Sequence, residues 1–110
     1  MSEIDDILGR IKSNKSVEGY LISNTRGEII KTSYKGEKKA EGDKIMANIP
    51  DVVAKAQIGL KNINASNELQ FMRIKTKTNE FLIAPDKDNE FLFIVVQTPN
   101  VKGGTEQSEP

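Results

Sequence analysis

Apolar residues recur along this chain in two different rhythms. Ile4, Ile7, Leu8 and Ile11 fall at i, i+3, i+4 and i+7, which lines one stripe of a short helix. Ser2 and Asp5 resemble a capping box at its start. Acidic Glu3, Asp5 and Asp6 precede basic Arg10, Lys12 and Lys15, the order that a helix dipole favours. A helix this short is unstable alone, so its stripe must dock on other structure. From Val17 the rhythm changes. Val17–Ser23 reads as a strand, Asn24-Thr25-Arg26-Gly27 as a turn in which Gly27 is free to take positive φ, and Glu28–Tyr34 as the returning strand of a hairpin.

After a polar connection from Lys35 to Gly42, a longer helix is expected from about Asp43 to Asn62. Met46, Ile49, Val53, Ala56, Leu60 and Ile63 alternate at spacings of three and four, and Ile45 and Val52 widen the stripe. Two uses are open for it: covering its own sheet, or packing in part on a symmetry mate. Pro50 removes a hydrogen bond within such a helix, so a kink or a restart near Asn48 is expected. Three strands follow, Glu68–Thr76, Glu80–Pro85 and Glu90–Thr98. The last carries six apolar residues in a row, Phe91 to Val96, which implies burial on both faces and a central place in the sheet. Residues 1–99 thus form one domain, and the polar segment 100–110 reads as a disordered tail.

The order helix, two strands, helix, three strands makes the fold class α+β on a largely antiparallel sheet. A central strand apolar on both faces needs cover on both. With two helices, one of them short, some apolar sheet surface beside the first helix is expected to stay uncovered until a partner arrives.

Composition narrows the chemistry. Sixteen basic residues balance sixteen acidic ones, so nothing supports general nucleic-acid binding, which rests on neutralising phosphates. The chain has no cysteine and no histidine. Thiolate metal sites, cysteine nucleophiles, the commonest general base and the usual hydrolase triad are therefore all missing. Gly36 to Gly42 has the wrong spacing for a Walker loop and ends in Asp43. Asp86–Glu90 lacks the sixth-position glycine and terminal glutamate of a calcium loop. No cofactor is expected, and no enzyme signature survives. Arg73, alternating with apolar residues on a strand, asks for a salt bridge or a subunit contact. The acidic start carries no signal-peptide pattern, no stretch approaches the roughly 20 apolar residues of a membrane span, and a cytosolic compartment without membrane insertion is expected.

The segment from Asn67-Glu68-Leu69-Gln70-Phe71-Met72-Arg73-Ile74-Lys75, through Asn79-Glu80, to Ala84-Pro85-Asp86-Lys87 closely resembles the roadblock family of cytoplasmic and axonemal dynein light chains. Val17-Glu18-Gly19, Asn24-Thr25-Arg26-Gly27 and Ile30-Lys31-Thr32-Ser33 match that family's opening hairpin, so the likeness spans about Ile4 to Pro99. Pro50 and Gly59 depart from it. The resemblance implies a profilin-like or longin-like sheet with one helix on each face. It implies a dimer, formed by pairing third strands and packing second helices, with contacts at Leu69, Phe71 and Arg73 and at Met46, Ile49, Val53, Ala56 and Leu60. The mate would be a second copy or a paralogue. A further surface, Ile7 and Ile11 with Tyr20 and Ile22, would meet a partner.

Such light chains bind the dynein intermediate chain. The leading expectation is therefore a non-catalytic subunit for motor assembly and cargo linkage in microtubule-based transport, in the cytoplasm or the ciliary axoneme. The alternative on the same resemblance is a scaffold or regulator of a Ras-like small GTPase.

Overall fold

Six consecutive apolar residues, Phe91 to Val96, place the last strand at the middle of the sheet. The computed structural model describes residues 2–86, 88 and 90–99, without the side chains of residues 2–5 and 7. The segment expected to be a disordered tail, 100–110, lies outside the described residues. The elements are α1 (Ser2–Ser13), β1 (Val17–Asn24), β2 (Ile29–Thr32), a 3₁₀ turn (Gly36–Lys38), α2 (Lys39–Ile63), β3 (Met72–Lys75), β4 (Glu80–Pro85) and β5 (Phe91–Gln97). One five-stranded sheet has the order β2-β1-β5-β4-β3, and its described pairings are antiparallel.

Strand alternation assigns the two faces. Leu21, Ile83, Ile94 and Val96 point to one side, where Ile45, Ile49 and Val53 of α2 close over them. Ile22 and Phe93 point to the other side and are covered by Leu8 of α1. Each face is thus a separate core with its own helix, which is the layering expected of an α+β domain.

Three boundaries differ from the sequence reading. Helix α2 starts at Lys39 and runs unbroken through Pro50. Ile45, Ile49 and Val53 anchor it to the sheet on both sides of the proline, so one missing hydrogen bond does not end it. Strand β2 is shorter than Glu28–Tyr34 and its register slips beside Ser23. Strand β3 begins only at Met72, opposite Ile83. Two residues beyond Ile83 stands Pro85, which has no N–H to extend a ladder toward Gln70, so residues 68–71 carry no strand pairing.

Tyr34 ties α2 to the sheet. Its ring is buried and fills the gap between two glycines. A Cβ on Gly42 of α2 would lie 2.6 Å from the Tyr34 Cβ, and one on Gly19 of β1 would lie 2.5 Å from the ring carbon Cζ. The Tyr34 hydroxyl has no hydrogen-bond partner among the described residues. Burial, with Glu41 and Glu18 nearby, pushes its pKa up to about 12.

Candidate functional site

The sheet ends in an edge strand, β3, and the polar residues of the surrounding segment hold that edge in place. Asn67 closes the C-terminus of α2: its Nδ2 donates to the Leu60 carbonyl at 2.8 Å, and its own carbonyl accepts from Lys61 Nζ at 2.8 Å. Asn79 shapes the β3–β4 turn. Its carbonyl accepts from the Thr76 N–H, its N–H donates to Thr76 Oγ1, and its side chain reaches Glu18 of β1 at 3.2 Å. A short sequence signature therefore reports a frame around the edge.

Glu80 is the buried charge of that frame, only 1% exposed. Its two oxygens are separately engaged: Oε2 accepts from Arg73 Nε, and Oε1 accepts from Gln97 Nε2 at 2.9 Å. These hydrogen bonds, Arg73 foremost, outweigh burial and hold the carboxyl below the usual carboxylate range. Arg73 is shifted upward by the same contact and stays cationic. The partner that the sequence required for Arg73 is thus Glu80 of its own chain, through a side chain that remains 60% exposed.

Of the residues named for dimer contact, Phe71 is 55% exposed at the edge. Leu69 packs half-buried against the α2-side core, out of step with Phe71 because the segment ahead of β3 is not a regular strand. On α2, Ile49 and Val53 lie in the core beneath the helix, and Met46 packs against that same core. Ala56 and Leu60 are half-buried. Through Met46, Ile49 and Val53 the three-and-four stripe covers the chain's own sheet, while Ile63 at its far end is exposed.

A second stripe on α2 stays open. Val52 and Ile63 are exposed, Ile63 by 79%, and with Ala56 and Gly59 they follow at spacings of four, three and four on one flank. The opposite flank, Pro50, Ala54 and Gln57, lines a cleft of about 550 Å³ against the β1–β2 turn. A Cβ added to Gly59 would meet nothing within 4 Å. Val52 had shown itself in the sequence only as a widening of the main stripe. The open flank joins that widening to Ala56 and Ile63 at the C-terminal end of the main stripe.

The residues named for a further partner divide too. Ile22 is buried beneath α1, while Ile11 and Tyr20 are half-buried around the same cluster. The side chain of Ile7 lies outside the described residues. On that face Ala84 packs against the Leu8, Ile22 and Phe93 cluster, and Val95 and Leu82 are half-buried. Among the described residues no group of three or more acidic, histidine or cysteine side chains is arranged to hold a metal ion. No described helix is long and apolar enough to cross a membrane.

An edge strand held in a polar frame and an exposed apolar flank on α2 are equipment for association. The family model of the Roadblock/LC7 domain matches residues 3–98. That family includes dynein light chains and regulators of small GTPases, is generally non-catalytic, and its domains typically dimerise. With a match across nearly its whole length, and with the sheet and helices that such a domain requires, this chain belongs to the Roadblock/LC7 family.

Proposed function

We propose that this chain is a dimeric dynein light chain that binds a segment of the dynein intermediate chain. It would serve motor assembly and cargo linkage on microtubules, in the cytoplasm or the ciliary axoneme. The observation that carries the association is the edge itself. Strand β3 pairs with β4 on one side only, Phe71 just ahead of it is exposed, and Val52 and Ile63 of α2 are exposed as well. An unpaired edge beside exposed apolar residues invites another strand. Pairing β3 with β3 of a second copy would join two sheets into one and bring two α2 flanks together, an isologous contact of the kind closed dimers use. Gly59 and Ala56 would let those helices approach closely. The dynein assignment within the family is supported by the likeness of the Asn67–Lys75, Asn79-Glu80 and Ala84–Lys87 segments to dynein light chains.

The test combines two measurements on the full chain. Phe71→Lys is expected to fold, because that side chain is exposed, and to sediment as a monomer; a full dimer would refute the seam. Affinity capture from the native cell extract at moderate salt is expected to retrieve a dynein intermediate chain with its heavy chain. Recovery of a Ras-like GTPase without dynein subunits would replace the light-chain reading with a GTPase platform.

A further inference from the structure

We propose that a small cavity between β2 and the start of α2 binds a medium-chain aliphatic carboxylate, its tail inside and its carboxylate at Lys35 and Lys39. The site lies at the β2 edge of the sheet, the edge opposite β3. It is therefore independent of the dimer seam and of the light-chain reading.

The walls are apolar because their polar groups are absent or already engaged. Leu21 pairs with Thr32, and Ser23, on the same face as Leu21, pairs with Ile29, so Leu21, Ile29 and Thr32 line the cavity together. Thr32 Oγ1 donates to the Tyr20 carbonyl and accepts from the Tyr34 N–H, both at 3.0 Å, which leaves its methyl group to the cavity. Tyr34 extends its hydroxyl toward Gly19 of β1 and contributes its ring to the lining. Gly42 adds no side chain. Because β2 is the outermost strand, Ile29 stays 40% exposed.

Size selects a small occupant. The cavity measures about 330 Å³, whereas a helix with its side chains is about 10–12 Å across and does not fit. At about 30 Å³ per non-hydrogen atom, the share of a water molecule in the liquid, it holds roughly eleven such atoms. Octanoate is of that size.

The mouth selects the head group. Lys35, Lys39 and Asp43 line it, while Glu37 and Glu41 do not. Asp43 is already engaged, its Oδ2 accepting from Lys39 Nζ at 3.0 Å. Lys35 makes no ion pair among the described residues and leaves the mouth with an excess of positive charge. Helix α2 begins there without a side-chain cap, so the positive end of its dipole adds to that charge. Apolar walls behind a cationic mouth are complementary to an amphiphile with an anionic head.

The test is an NMR titration of the full chain with octanoate, octanol and octylammonium at low salt. Octanoate is expected to bind in the millimolar range or tighter, as about ten non-hydrogen atoms allow. It should shift the methyl signals of Ile29 and Thr32 and the ring signals of Tyr34. Two exposed lysines should favour it about fivefold over octanol, by less as salt rises, with octylammonium weakest. From pentanoate to octanoate, affinity should rise about fourfold per methylene and then level off as the cavity fills. The Lys35→Gln, Lys39→Gln double variant changes exposed side chains only and is expected to equalise octanoate and octanol. Ile29→Ser, which leaves the charge unaltered, is expected to weaken octanoate by about fourfold or more. No binding, equal affinities for octanoate and octanol in the unmodified chain, or a preference that survives the double variant would overturn the proposal. So would shifts confined to other parts of the sheet, or an affinity that keeps climbing through dodecanoate, which marks partition onto the surface.

Discussion

Adding one methyl group at Gly42 is expected to loosen α2 from the sheet. The new Cβ would lie 2.6 Å from the Tyr34 Cβ and 3.1 Å from its Cγ, where carbon atoms prefer about 3.5–4.0 Å. The Tyr34 Cβ is one bond from the backbone, so no rotamer change moves it away. Only a separation of α2 from the Tyr34 backbone, two residues beyond β2, relieves an overlap of about 1 Å, and overpacking of this kind costs about 1–3 kcal/mol. Against it stands the gain from replacing glycine in a helix, roughly 0.8–1.0 kcal/mol.

Gly59→Ala supplies the reference, because it receives the same helix gain in the same helix with nothing within 4 Å. At concentrations where both variants are monomeric, the gap between them is then the overpacking cost alone. At about 4–8 °C per kcal/mol, it corresponds to a Tm difference of at least roughly 4 °C for a domain of this size. The assay is thermal and urea unfolding followed by circular dichroism, repeated over a wide range of protein concentration so that dimerisation is held apart from folding. Coincident midpoints for Gly42→Ala and Gly59→Ala would refute the reasoning that Tyr34 and Gly42 set the approach of α2.

Other substitutions separate the remaining roles. Ile49→Ala should destabilise the fold by about 2–5 kcal/mol, whereas Val52→Ala should change it by less than about 0.5 kcal/mol; similar urea midpoints for the two would contradict the assignment of core and open flanks. Tyr34→Phe gives up no hydrogen bond to a described residue, so its stability should stay within about 1 kcal/mol of the parent, and a larger loss would reveal a partner for the hydroxyl. Because the Glu80 carboxyl is held below its ordinary range, its contribution is present above that range and is lost as pH falls through the depressed value. Glu80→Gln should therefore be less stable at neutral pH and show a flatter loss toward about pH 3; parallel acid limbs in urea titrations would argue against the ion pair.

How much of this was legible in the chain depends on the range of each interaction. The run Phe91 to Val96 announced the central strand, because only a strand covered on both faces has a use for apolar residues at every position. The spacing of Met46, Ile49, Val53, Ala56, Leu60 and Ile63, widened by Ile45 and Val52, announced a helix with an apolar stripe. Arg73 announced the need for a partner. These are local signals, carried by residues a few positions apart, and they determined the order of the elements, the α+β class and the family resemblance.

What only the tertiary structure decided is the use to which each face is put. Periodicity shows that α2 has an apolar stripe, but the sheet beneath it decides that Ile49 and Val53 are consumed within the chain and that Val52 and Ile63 stay exposed. Alternation on β3 shows two faces, but the register with β4 sets Arg73 beside Glu80, and Pro85 stops the ladder short of Phe71. Tyr34 reads in sequence as the end of a strand, and only the approach of Gly19 and Gly42 makes it the joint between helix and sheet. The physical reason is common to all three. A residue's apolar or polar character is local, whereas its burial depends on which distant segment arrives to cover it.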